Sequence, residues 1–265
     1  MSGRVGRVDR VGLASTLVAA ALLASAGPAH AQDGAALRRV QAAIRHLESL
    51  PRFRFDATTV FDVPQKSGQT FQFSDRRIIT VRRPDRIRAS WVDDHGGSHE
   101  FYYDGQTLTR HDKAREVYGQ LDVPATLDEM LDYLELGLGA PFPLADLLYG
   151  DLSHLARSAR EARVVGTAYV AGVDCDHLAF RGEAVDWQLW IEQSGTPWIR
   201  KIAIDYKRAR GAPRFSAFFT SWDASPQVGD ALFHFSPPRR TRKIPTLALP
   251  ARGEPVEIES RGDFR

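Results

Sequence analysis

The sequence predicts a mainly β protein: a curled antiparallel sheet, an open half-barrel of about eleven strands, covered by an N-terminal helix and a central helical insert. Three observations predict it. Short aromatic-rich segments alternate apolar and polar residues with period two. Gly, Pro and Asp-Gly turn signals separate them at meander spacing. One compact, leucine-rich helical patch, at about 126–160, interrupts the strands before they resume.

The chain opens with a leader. Arg4, Arg7 and Arg10 form a basic region, residues 11–27 an apolar run, and Ala29-His30-Ala31 fits a small-x-small cleavage site. The run is short and rich in Ala, Ser and Gly for a membrane span. Residues 1–31 therefore predict a cleaved signal peptide, and export to the periplasm. No cysteine lies near the cleavage site, which argues against an acylated lipoprotein.

Residues 33–50 read as a helix, with Asp33 as cap, Leu37, Val40, Ile44 and Leu47 at helical spacing, and Pro51 as stop. The period then becomes two. Phe53, Phe55, Ala57, Thr59, Phe61 and Val63 form one face of a long strand, and Phe71, Phe73, Ile79 and Val81 mark the next. Arg83-Pro84-Asp85 breaks that strand, and Ile87, Ala89 and Trp91 continue the pattern. Asp104-Gly105 is the strongest hairpin signal.

In the patch, Thr126 and Glu129 make a capping box ahead of Leu127, Met130, Leu131, Leu134 and Leu138. Pro143 starts a second short helix carrying Leu144, Leu147 and Leu148, and Asp151 or Ser153 can cap a third. These helices have so little polar surface that they must bury against something. Strands return at 163–171, 174–181, 185–192, 198–207 and 213–223, and a short last one holds Phe233 and Phe235. The predicted half-barrel domain spans 32–238, and residues 239–265 read as a mostly disordered tail.

At 265 residues, the chain suits one domain with tails. Residues 1–31 hold Arg4, Arg7, Arg10 and Asp9 of the 35 basic and 33 acidic residues, so the remainder is neutral. Nothing pulls it toward nucleic acid. Cys175 is the single cysteine, so no intramolecular disulfide forms; its neighbours Asp174 and Asp176 would raise a thiol pKa.

A sheet of this length curls, and its concave face needs a cover that only the N-terminal helix and the insert can supply. The candidate lining is Phe53, Phe55, Phe61, Phe71, Phe73, Trp91, Phe101, Leu108, Leu178, Phe180, Trp187, Leu189, Ile202, Ile204, Phe215 and Phe219. Leu127, Met130, Leu131, Leu134, Leu138, Leu144, Leu147 and Leu148 form the lid. Such a face can be filled solid by its own side chains or enclose an apolar cavity; the excess of apolar helix favours a cavity.

Chemistry has less support. Asp174-Cys175-Asp176-His177 holds ligand-type residues, but strand alternation puts the aspartates on one face and Cys175 and His177 on the other, short of the convergent ligands zinc needs. His95 and His99 flank a Gly-Gly turn and read as exposed; Ser153-His154 reads as a helix cap. Glu183, Asp186 and Glu192 could pair as acid and base. No nucleophile-elbow, metalloprotease, phosphate-loop or dinucleotide motif is present. The expectation is a monomeric, non-enzymatic binding protein without metal or cofactor.

Arg82-Arg83-Pro84-Asp85-Arg86-Ile87-Arg88, then Phe101 to Leu108, then Phe233-His234-Phe235-Ser236-Pro237-Pro238 resemble landmarks of the outer-membrane lipoprotein carrier (Lol) fold. Pro143 to Leu148, His177 to Phe180 and Asp186 to Glu192 are similar to an uncharacterised family of predicted periplasmic proteins, a domain of unknown function. The resemblance covers about residues 35–238. It implies an open half-barrel plugged by helices, with a cavity for a lipid or acyl-bearing ligand. The same fold also implies an alternative: an envelope-stress sensor or protein-interaction module, with an envelope protein as partner. Arg54, Arg77 and Arg88 are each candidates for the carriers' gating arginine.

Overall fold

The computed structural model describes residues 29–139, 142, 144–157 and 159–244. Most of the leader, Pro143 and the tail beyond Ile244 lie outside the described residues. Helix α1 (Ala29–Glu48) is followed by β1 (Arg52–Pro64), β2 (Thr70–Arg82), β3 (Arg86–Asp93), β4 (Ser98–Tyr103), β5 (Thr107–Asp112) and β6 (Val117–Asp122). The insert holds α2 (Leu127–Asp132), which runs on as a π-helical turn (Tyr133–Gly137), a 3-10 turn (Ala145–Leu147) and α3 (Ser153–Arg157). Then come β7 (Glu161–Val170), β8 (Val173–Arg181), β9 (Val185–Glu192), β10 (Ile199–Tyr206), β11 (Arg214–Asp223), a 3-10 turn (Asp230–Leu232) and β12 (Arg242–Lys243). No helix among the described residues is long and apolar enough to cross a membrane.

The twelve strands make one open, curled sheet in the order β12-β6-β5-β4-β3-β2-β1-β11-β10-β9-β8-β7. Two antiparallel meanders, β1–β6 and β7–β11, join where β1 pairs with β11. Their hairpins follow local turn chemistry. Ala171 and Gly172 both take positive φ (48° and 88°) in the two-residue β7–β8 turn, which matches the twist of its strands. Since β6 lies beside the short edge strand β12 and β7 forms the opposite edge, the insert joining them has to cross from one side of the curled sheet to the other.

That crossing places the core. Ala36, Val40, Ala43, Ile44 and Leu47 recur at helical spacing on α1, which packs on β7 and β9. They form one buried cluster with the concave face of the sheet and with Leu127, Met130, Leu131, Leu134, Phe142, Leu144, Leu147, Leu148 and Leu152 of the insert. The α2 start is the expected capping box: Thr126 Oγ1 accepts from the Glu129 amide at 3.3 Å and donates to Glu129 Oε2 at 2.8 Å.

Three local expectations are corrected. Helix α1 begins ahead of Asp33, which therefore does not cap it. Phe233 and Phe235 form no strand. They belong to a strap across the convex face, where Phe235 meets the rings of Tyr102, His111 and Tyr118 at 5.0–5.3 Å, and Phe233 lies under the Arg82 guanidinium. The edge such a strand would need is taken instead by Arg242 and Lys243, which pair in parallel with Val117 and Tyr118 within the stretch expected to be tail.

Candidate functional site

Register puts the predicted lining residues into rows across the concave face. One row is Phe53–Val81–Ile87–Tyr103–Leu108, and the next is Phe55–Ile79–Ala89–Phe101. A third runs through both meanders, Phe180–Trp187–Ile204–Phe215–Phe61–Phe73. Phe53, Phe55, Phe101, Leu108, Leu178, Phe180, Trp187, Leu189, Ile202 and Phe219 are buried in the core, with Trp91, Ile204 and Phe215 half-buried at its margin.

The third row passes from cover to solvent. Phe180 and Trp187 are buried and stacked at 3.8 Å, whereas Ile204, Phe215, Phe61 and Phe73 are half-buried. Strand length explains it: β1 and β2 each have 13 residues, but β3 reaches only from Arg86 to Asp93 and its pairing stops opposite Asp75. Phe71 and Phe73 lie beyond it, and Phe71 is 39% exposed, so it lines no enclosed space. In the lid, Leu127, Met130, Leu131, Leu134, Leu144, Leu147 and Leu148 are buried. Leu138 is instead 45% exposed and Leu136 83%, because the π-helical turn rotates them off the apolar side.

Beneath the insert, the expected hollow is filled by the helices themselves. The gap bounded by Arg77, Ile79, Ala89, Ser90, Trp91 and Phe142 is too narrow to admit a water molecule. Phe142 meets Phe101 edge-on at 5.4 Å, and Phe101 stacks on Trp91 at 4.6 Å.

Hydrogen bonds fasten the insert. Arg83 Nη1 donates to the Leu148 carbonyl at 2.7 Å, and the Leu152 amide donates to Glu48 Oε1 at 2.8 Å. The Gly150 amide donates to Asp128 Oδ1 at 2.9 Å, the Leu127 amide to the Pro84 carbonyl at 2.7 Å, and Tyr103 Oη to the Pro124 carbonyl at 2.6 Å. Burial lowers the Arg83 pKa against the pull of Asp128 and Glu48.

Arg83, which hydrogen-bonds the insert, was not among the named candidates; Arg77, which was, lines the same gap as Phe142 of the insert. Arg54 bonds Asp56 and Arg88 bonds Glu100, both on the convex face, and Arg77 pairs with Asp75 on the concave face. Arg83 carried one usable signal: it directly follows β2, whose last inward row, Val81–Ile87–Tyr103–Leu108–Leu121, leads to the start of the insert.

The residues read for chemistry are spread apart. Glu183 pairs with Arg160 and Arg208, Asp186 with Lys207, and Glu192 with Arg200. These contacts hold the Glu183 and Asp186 carboxyls low. Asp176 reaches Arg39 of α1 while His177 stacks on Trp190 at 4.2 Å on the other face, as alternation predicts. Burial raises the Cys175 thiol. His99 is not exposed: its ring sits between Asp93 (3.6 Å) and Asp112 (3.9 Å), and burial lowers its pKa, with Arg110 adding to the effect. Among the described residues, no group of three or more His, Cys, Asp and Glu could hold a metal.

Several solved structures are similar to the chain. The Mycobacterium tuberculosis lipoprotein LppX is similar at 13% identity, over 74% of this chain and 100% of that one, with a TM-score of 0.47. The Pseudomonas aeruginosa MucA/MucB complex matches at 18% identity, over 75% and 60%, with a TM-score of 0.38. A putative outer membrane lipoprotein-sorting protein domain from Vibrio parahaemolyticus matches at 7%, over 72% and 92%, with a TM-score of 0.30. No curated protein matches the chain. The family model described as predicted periplasmic protein (DUF2092) matches residues 36–247, and the chain belongs to that periplasmic family.

Proposed function

We propose that the protein is a non-enzymatic binder of a lipid or acyl-bearing ligand, held on the concave face beneath the insert. One observation carries the reading: the row from Phe180 to Phe73 is a continuous apolar track that begins inside the core and ends half-open to solvent. A track of that kind gives an acyl chain a landing surface and a direction of entry. Binding requires the insert to lift, because the closed cup is full. Each buried methylene contributes about 0.8 kcal/mol, so an acyl chain grosses on the order of 10 kcal/mol. Undocking several lid leucines at about 1.5–3 kcal/mol each offsets most of it, which suits a protein that must also release its ligand.

The test is direct. Solvent extraction of protein purified without detergent should release a lipid seen by mass spectrometry, and an environment-sensitive acyl probe should brighten on binding. Bare polypeptide together with a silent probe would defeat the reading.

A second reading, a protein-interaction module, is supported by the open β7 edge, where Val165 is exposed and Tyr169 is 73% exposed. Cross-linkers placed in β7 and in residues 126–150 should then capture an envelope protein in cells; finding no protein adduct at either place removes it.

A further inference from the structure

Charge sits on the concave face where the neighbouring rows are apolar. Arg77 is 8% exposed and Asp75 7%. Arg77 uses Nε and Nη2 to grip both Asp75 oxygens at 2.5 Å, and Thr59 Oγ1 donates to Asp75 Oδ1 at 2.6 Å. The remaining nitrogen, Nη1, is buried and has no hydrogen-bond partner. Arg77 borders the narrow void under Phe142, where no water fits, so trapped water cannot satisfy that donor. Buried guanidinium donors are rarely left unpaired, and a site that retains one has a reason to. Here the wall beside it, Phe142, belongs to the insert, which ligand binding as proposed requires to lift.

We propose that Arg77 anchors the polar end of the ligand, with Nη1 donating to the carbonyl oxygen of an uncharged ester or amide once Phe142 moves aside. The acyl chain then lies along Phe61, Phe73 and Phe215, a row about 13 Å away along the strands. The inference rests on the acyl-binding reading and narrows it to neutral acyl esters or amides over free fatty acids.

Charge balance selects the neutral group. Asp75 already neutralises Arg77 through a bidentate contact. The same face carries Asp93, Asp112, Arg110 and His99, and His99 is kept neutral by burial. Arg115 also reaches Asp112, at 3.8 Å, so three arginines already balance three aspartates. A carboxylate brought here would be an unbalanced charge at low dielectric, whereas a carbonyl needs only the one free donor.

Three pyrene probes of equal chain length, ending in a methyl ester, a carboxylate or a plain alkyl group, test this by fluorescence titration into the mature protein. The ester should bind about tenfold tighter than the other two. F142A should tighten the ester several-fold more than it tightens the alkyl probe. R77M should bring the ester down to the alkyl level. R77K keeps the ion pair but lacks the third fork nitrogen; it should do the same, and it replaces R77M if circular dichroism shows that variant unfolded. An ester no better than alkyl, a carboxylate that binds tightest, or undiminished ester binding in the folded arginine variant overturns the proposal while leaving acyl binding intact. Failure of all three probes overturns the acyl reading, and this one with it.

Discussion

Arg83 and Leu148 are joined by one hydrogen bond, Nη1 to carbonyl oxygen at 2.7 Å, and it ties the end of β2 to the middle of the insert. The Arg83 guanidinium also lies 5.5 Å from the Phe53 ring centroid, so it touches both the lid and the floor. Arg83 Nε and Nη2 are buried without partners, which makes this an expensive tether.

R83M should separate local from global stability. Methionine keeps the contact over Phe53 and removes two unsatisfied donors, so urea-unfolding stability should fall by only about 1–2 kcal/mol. Amide protection across 127–152 should drop more than protection in β1 and β11, because the insert loses one of its ties to the sheet. Native-state hydrogen exchange reads both. A uniform loss over sheet and insert would show that Arg83 supports the whole core and holds no lid.

The capping box sets how firmly α2 stays wound. T126A removes the acceptor for the Glu129 amide and the donor to Glu129 Oε2, and should cost about 1 kcal/mol. Because α2 is short, the loss should show as faster exchange at Met130 and Leu131. Unchanged exchange there would mean that packing of Leu127 and Met130, not the cap, defines the helix start.

Glu100 makes stability depend on pH. Burial would raise its carboxyl, but Lys113, Arg88, His111 and Tyr102 outweigh that and hold it at about 2 against the usual 4.5. The folded state thus favours the charged form. Its stabilisation is fully present above about pH 4.5 and is lost as pH falls toward 2. E100Q should flatten the melting temperature over that window and lower stability at pH 7 by about 2 kcal/mol, since Arg88 and Lys113 lose their counter-charge. Parallel melting curves for the two proteins from pH 5 to pH 2 would remove Glu100 as the group responsible.

Much of this architecture was legible because it is local. Period two marks a strand whatever its neighbour. Asp104-Gly105 turns because Gly105 takes φ +88° and the Asp104 carboxylate accepts from the Gln106 and Thr107 amides. The pairing of β1 with β11 was not legible: it joins Arg54 to Asp223 across most of the chain, and no local pattern encodes it. Facing was equally hidden. Arg54, Arg77 and Arg88 look alike in sequence, yet register sends Arg77 inward and the other two outward. Alternation puts Phe61 on one face with Phe55, and pairing of β1 with β2 brings Phe71 and Phe73 to that face. What alternation does not report is that β3 ends early and leaves them uncovered.

That uncovered end separates a binding track from an ordinary core. Phe55 is fully buried, with the rings of Phe219 and Trp222 at 5.3 and 5.0 Å, so F55A should cost about 3–5 kcal/mol. Phe61 is half-buried against Phe73 at 6.0 Å, and F61S removes far less from the folded state, about 1 kcal/mol. If the row guides an acyl chain, F61S should weaken an acyl probe by about tenfold, as expected for losing apolar contact with two or three methylenes. F55A, compared at a temperature where it stays folded, should weaken the probe less, because Phe55 is fully buried against Phe219 and Trp222. The reverse order, with Phe61 important for stability and irrelevant to the probe, would make the track a frayed margin of the core and leave the concave face with no entrance.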